Sequence, residues 1–161
     1  MQHSSVSRDL GFTLAESLIV LAIVGILVAI AIPSAIAALH RAKLAQATDM
    51  VVASLQEAQR EAIRSNRTCT LTLDKAAGKI LGQQGCLLSG DRTLPDEIKL
   101  DYTGTGDIDY GMRGNTTDNK SILLQVKNTA NYRCLTVSAP LGIIRPGSYD
   151  LTTHDCEKLQ S

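Results

Sequence analysis

The chain has 161 residues, enough for one small domain with a modest core, and its sixteen basic and sixteen acidic residues cancel. From residue 66 onward there are eleven of each, which argues against broad electrostatic binding of nucleic acid, a function that needs a basic patch or stripe. Tryptophan is absent and Phe12 is the lone phenylalanine beside four tyrosines, so no aromatic platform for stacking bases is expected either.

Residues 1–11 form a short polar leader in which Arg8 and Asp9 cancel. Gly11-Phe12-Thr13-Leu14-Ala15-Glu16 follows, and then 23 residues, Ser17 to Leu39, without a charge. About 20 apolar residues span a bilayer, so this run is long enough for a membrane helix. A carboxylate at the bilayer centre costs roughly 2.5–3.5 kcal/mol or more, so a segment that keeps Glu16 at its head should have a use for it. A secretory signal peptide has an apolar run of about 7–15 residues and is cut after it. A lipobox needs a cysteine near the run, and the first cysteine is Cys69. A plain single-span anchor explains the length but not Gly-Phe-Thr-Leu-x-Glu. His40, Arg41 and Lys43 follow the run, and the positive-inside count would place that end in the cytoplasm.

The pattern from Gly11 to Glu16, set before a long uncharged run, resembles the processing and assembly signature of type IV pilins and type II secretion pseudopilins. The resemblance implies that a prepilin peptidase cuts between Gly11 and Phe12 and that the new N-terminal Phe12 is methylated. It implies that the leader is cytoplasmic, that the following helix crosses the inner membrane, and that the C-terminal domain is periplasmic. It gives Glu16 a role in packing against a neighbouring subunit. The implied partners are the peptidase, other pilins or pseudopilins, the inner-membrane assembly platform and the membrane itself.

Residues 13–65 read as one long helix, about 75–80 Å at 1.5 Å per residue. Its first part, 12–39, is apolar on all sides, as a membrane span or filament core should be. Pro33 lies inside it. Proline lacks an N–H and clashes with the carbonyl of Ala29, so a kink or local melting is expected there. In related pilins the corresponding proline lies where the helix loosens during assembly, which gives Pro33 an assembly role; the other reading is a kink tolerated in a membrane helix. The second part, 40–66, is amphipathic. Leu44, Ala47, Val51, Leu55, Ala58 and Ala62 recur at spacings of three and four and make one apolar stripe. Glu57 with Arg60, and Glu61 with Arg64, stand three apart and can pair weakly on a solvated face.

From Thr68 the period changes to two. Residues 68–73 alternate as a half-buried strand, Lys75-Ala76-Ala77-Gly78 reads as a turn, and Lys79-Ile80-Leu81 opens the return strand. Ile98–Tyr102 is a further strand, and residues 103–120 read as a loop or short edge hairpin. Residues 121–126 and 132–137 form a second pair, and 141–147 a short strand ended by a turn. The expected fold is α+β: a long N-terminal helix whose second half packs on an antiparallel sheet domain at 67–161.

Two further passages narrow the family. Residues 55–66 look like the helix end of GspH-type pseudopilins and FimT/FimU-type minor pilins. Cys134-Leu135-Thr136-Val137-Ser138, followed by Gly142-Ile143-Ile144-Arg145-Pro146-Gly147, resembles their C-terminal strand-and-glycine motif. The resemblance implies a minor subunit near a filament tip. Some FimT-type members bind DNA through glycine, arginine, any residue, arginine. Here Gly142, Ile143, Ile144 and Arg145 keep only one arginine, which halves the charge offered to phosphates and leaves Arg145 a weak candidate for DNA contact.

Cys69, Cys86, Cys134 and Cys156 all follow the apolar run, where an oxidising periplasm would permit disulfides. Four cysteines allow three pairings. Cys69–Cys86, tying the first hairpin, and Cys134–Cys156, pinning a tail poor in apolar residues, are the favoured ones; free buried thiols are a further option. Zinc is disfavoured because no C-x-x-C occurs and His154 is the only nearby histidine. Asp107, Asp109 and Asp118 lack the spacing of an EF-hand loop. No nucleophile elbow, phosphate loop or zinc-protease motif is present. The chain is expected to be no enzyme, to need no cofactor, and to be the substrate of one enzyme. The alternatives kept beside the filament subunit are a DNA-uptake module and a plain membrane-anchored domain that retains residues 1–11.

Overall fold

The computed structural model describes residues 13–150 and 155–158. Helix α1 (Leu14–Ser65) is continuous through Pro33. Of the kink or local melting expected at that proline, the melting is not present. Ser34, directly after it, donates its hydroxyl to the carbonyl of Ala31 at 2.8 Å. The chain divides into two compact units after Ala38, and each is described by itself.

In the first unit, Leu18, Ile19, Val20, Leu21, Ile26 and Leu27 are all exposed. An 18-residue window of α1 has a mean hydropathy of 2.9 with none of it buried, so the helix is long and apolar enough to cross a membrane.

In the second unit the apolar stripe decides the packing. Leu44, Ala47, Val51, Leu55, Ala58 and Ala62 are all buried and share one core with the strands. The helix ends where Asn66 takes a left-handed φ of 51°. The Arg67 N–H then donates to Ala62 O (3.3 Å) and the Asn66 N–H to Ile63 O (3.4 Å), a Schellman closure that turns the chain into the first strand.

Among the described residues nine strands follow: β1 (Cys69–Asp74), β2 (Lys79–Gly82), β3 (Arg92–Thr93), β4 (Ile98–Tyr102), β5 (Asp107–Tyr110), β6 (Lys120–Val126), β7 (Tyr132–Ser138), β8 (Ile143–Asp150) and β9 (Asp155–Lys158). They form two antiparallel sheets, β3-β2-β1-β5 and β4-β6-β7-β8-β9, rather than the single sheet expected. The first hairpin closes as read: Asp74 Oδ1 accepts the N–H groups of Ala76 and Ala77, and Gly78 takes φ +60°. One face of each sheet meets the helix. Cys69, Leu71 and Leu73 of β1, Ile122, Leu124 and Val126 of β6, and Leu135 and Val137 of β7 alternate into the core.

The segment read as a loop or short edge hairpin, 103–120, holds a single edge strand, β5, which leaves the second sheet's neighbourhood and pairs with β1, Ile108 opposite Leu71 and Tyr110 opposite Cys69. Buried Lys120 pins this crossing, donating its ammonium protons to the carbonyls of Thr105 and Asp107 and to the Thr105 hydroxyl. Strand β8 also exceeds its expected span and runs through Pro146 to Asp150. Pro146 pairs with Leu135 of β7, and among the described residues β9 pairs with β8 only from Gly147 onward, so the missing N–H costs no described ladder bond on that side.

The cysteines pair as Cys69–Cys86 (Cα–Cα 5.5 Å) and Cys134–Cys156 (Cα–Cα 5.9 Å). The second bond joins strands two places apart, which a flat sheet would hold about 9–10 Å apart. The β8–β9 edge therefore curls back over the outer face of β7. Gly147, opposite Cys134 in the register, has no side chain to obstruct that curl.

Candidate functional site

The processing pair Gly11 and Phe12, like the rest of the leader, lies outside the described residues. The description begins at Thr13, and its role is specific. The Glu16 N–H donates to Thr13 Oγ1 (3.3 Å), the Ser17 N–H to Thr13 O (3.2 Å), and the Ser17 hydroxyl to Thr13 O (3.4 Å). Thr13 is thus the N-cap of α1, and Thr13-x-x-Glu16 has the spacing of a capping box. Glu16 sits in the first turn, where the positive end of the helix dipole favours a carboxylate. Sequence reasoning took Glu16 only as an assembly residue; the threonine three places before it was the available signal for the cap.

This arrangement has a chemical consequence. The cap fixes where the helix starts, and so fixes the position of Glu16 relative to whatever precedes Thr13. Glu16 and Leu14 are both exposed, and no charged side chain follows along α1 until after Leu39. The segment therefore presents a single carboxylate at the head of an apolar rod.

In the second unit the two passages that carried the narrower resemblance meet at one side chain. Gln59 of α1 donates its amide to Gly114 O (2.8 Å) and to Leu141 O (3.3 Å). Gly142 takes φ +65°, and a Cβ there would lie 3.0 Å from the Gln59 amide, the Gly114 carbonyl and the Tyr110 ring. The glycine of the C-terminal motif is therefore a packing requirement. Arg145 is exposed on β8, its backbone carbonyl facing the Thr136 hydroxyl, and it stands alone in that motif as a cation.

The helix charges are less solvated than expected. Glu57 does not face Arg60. Its carboxylate accepts the Leu88 and Ser89 N–H groups (2.7 and 3.2 Å) and the Arg92 guanidinium (2.5 Å), holding the 86–92 segment against the helix. Glu61 is 4 % exposed and takes two hydrogen bonds from Arg64, which hold its carboxyl below the usual carboxylate range. Tyr110 is fully buried, its hydroxyl has no hydrogen-bond partner among the described residues, and burial pushes its pKa up. The loop aspartates have structural partners. Asp107 and Asp109 accept the hydroxyls of Thr72 and Thr70 (2.6 Å each), and Asp118 accepts the Asp109 N–H (3.0 Å).

Comparison with known proteins agrees with this architecture. No curated protein matches the chain. Among solved structures, the type IV minor pilin FimU of Pseudomonas aeruginosa superposes with a TM-score of 0.56 at 16 % identity, covering 67 % of this chain and 90 % of that one. The minor pseudopilin EpsH from the type 2 secretion system of Vibrio cholerae gives 0.53 at 15 % identity, covering 65 % and 95 %. At these identities the likeness is one of fold: one long helix packed on antiparallel sheets. Residues 6–32 match the prokaryotic N-terminal methylation motif, which contains the capped helix start just described. Residues 47–141, which include the buried stripe from Ala47 onward and both sheets through β7, match the type II transport protein GspH family, and the chain belongs to that family.

Proposed function

We propose that this minor pilin or pseudopilin is cut between Gly11 and Phe12 by a prepilin peptidase, methylated at Phe12, and assembled into a filament through Glu16. The observation that carries the reading is the capped helix start, with one carboxylate at the head of a fully apolar run. After cleavage, Phe12 carries an amine. Within the bilayer the Glu16 carboxylate of one subunit pairs with the Phe12 amine of a neighbour, and the pairing relieves the cost of keeping either charge in apolar surroundings. Thr13 contributes by fixing the first turn, so that the spacing between amine and carboxylate is the same in every copy. Pro33 supplies the point at which the stem can loosen when subunits pack, because the helix lacks one N–H there.

The membrane orientation proposed has residues 1–11 on the cytoplasmic side of the inner membrane and the sheet domain in the periplasm. Two disulfides in that domain fit an oxidising compartment. The partners are the peptidase, other pilins or pseudopilins, and the inner-membrane assembly platform, in a type IV pilus or a type II secretion pseudopilus.

Intact mass of the chain purified from its native membrane tests the reading. The expected chain begins at Phe12 with one added methyl group and no free thiol. A chain that retains residues 1–11 in a host with active prepilin peptidase overturns it and leaves a plain anchored domain. The DNA-uptake alternative rests on Arg145 alone, and a salt-sensitive gel shift abolished by Arg145→Ala would be needed to revive it.

A further inference from the structure

The turn between β6 and β7 (residues 127–131) separates two open grooves that share Ala130 and Tyr132. One, of about 550 Å³, is lined by Lys99 and Lys127; the other, of about 260 Å³, by Arg41 and Arg133. All four cations are exposed, and among the described residues no carboxylate lines either groove. The Glu97 backbone carbonyl accepts the Lys127 N–H (2.8 Å), but the Glu97 carboxylate is occupied by Lys43 at 2.5 Å. Among the described residues none of the four cations makes an ion pair within 4 Å, although Lys99 feels the nearby Asp101 carboxylate, so positive charge gathers around one turn of a chain of zero net charge.

The position of that turn along the helix gives the charge a target. Arg41, which lines the second groove, stands two residues after Leu39, the end of the uncharged run, a rise of about 3 Å. If α1 is the membrane anchor, chain connectivity alone puts Arg41 at the level of the lipid headgroups. Tyr132, half-buried and shared by both grooves, is the kind of amphipathic side chain that settles at that level.

We propose that Arg41, Arg133, Lys99 and Lys127 form a collar that binds the phosphates of anionic phospholipids and seats the sheet domain on the membrane surface before assembly. The proposal rests on α1 being the membrane anchor. Each lysine or arginine near an anionic surface changes partitioning roughly fivefold, so each pair of cations should account for a factor of about 30.

The absence of tryptophan offers a clean probe: Ala130→Trp puts the sole tryptophan on the exposed turn between the grooves. The full chain carrying it is reconstituted in phosphatidylcholine vesicles with and without about one-third phosphatidylglycerol, each doped with a lipid bearing a headgroup nitroxide quencher. Stronger quenching is expected in the anionic vesicles, reversed by about 1 M salt, where the screening length is about 3 Å. The quenching should fall in the Arg41→Gln/Arg133→Gln and Lys99→Gln/Lys127→Gln variants and vanish when all four changes are combined. Equal quenching in both lipids overturns the proposal, as does anionic-specific quenching that salt and the fourfold variant leave intact. Flotation separates the two readings: a chain that does not float with vesicles refutes the anchor, whereas a floating chain indifferent to headgroup charge refutes the collar. The salt arm needs no change to the basic residues, so it decides the matter even where a variant fails to fold.

Discussion

At the scale of single residues, the helix carboxylates separate into different roles. Glu16 is exposed at a helix start, where its carboxylate takes no hydrogen bond or ion pair from the described residues. Glu16→Ala should therefore leave membrane insertion unchanged and sharply reduce incorporation into filaments, read by flotation and by sheared-filament immunoblot; normal incorporation would refute the pairing with Phe12. Glu57 has the opposite profile. Its side chain is 13 % exposed and holds two backbone N–H groups and a guanidinium. Glu57→Ala should cost about 2 kcal/mol in chemical unfolding of the detergent-solubilised chain, since it strands Arg92 and two amides at once. The carboxyls of Glu61, Glu97 and Asp101 are held low by hydrogen bonds from Arg64, Lys43 and Lys75 respectively. A carboxyl whose folded pKa lies below its unfolded one adds stability above the ordinary carboxylate range and loses it as pH falls through the lowered value. The unfolding midpoint should be flat from about pH 7 to 5 and decline below about pH 4. A midpoint that rises on acidification would contradict these pairs.

At the scale of elements, legibility followed length and period. The stripe from Leu44 to Ala62 repeats over five turns, and every member is buried as the spacing requires. Strands β1 and β6 alternate cleanly over six and seven residues and were readable for the same reason; β7 departs from strict alternation where Cys134 and Leu135 are both buried. β5 was not, because four residues, Asp107-Ile108-Asp109-Tyr110, sit in a stretch of Gly, Asp, Asn and Thr whose local signal is that of a loop. What makes it a strand is tertiary: β1 offers it an edge, and Thr70 and Thr72 offer hydroxyls to its aspartates. β9 was illegible for a related reason, since a tail poor in apolar residues is held by a cross-link rather than by a core. Cys134→Ser with Cys156→Ser opens a closure of 22 residues and should cost about 3 kcal/mol in the chain-entropy account. Limited proteolysis should then cut within residues 150–158 well before the rest of the domain; an unchanged digestion pattern would show that β9 is held without the bond.

At the scale of the whole molecule, the family was legible from short passages while the second sheet was not. Gly11 to Glu16 and the uncharged run carry the methylation motif in a few residues, whereas dividing nine strands between two sheets depends on which edges meet in space. The basic residues after Leu39 illustrate the same difference. Counted along the chain, His40, Arg41 and Lys43 argue for a cytoplasmic end. Folded, Lys43 is neutralised by Glu97, and Arg41 joins Arg133 beside a turn ninety residues away in sequence. The two sheets also end in short strands: β3 has two residues, β5 and β9 four each, and β4 five. A subunit stored at high density in a membrane would hold many such edges side by side, and long bare edges would zip copies together irreversibly. Short borders leave such copies little backbone with which to pair edge to edge.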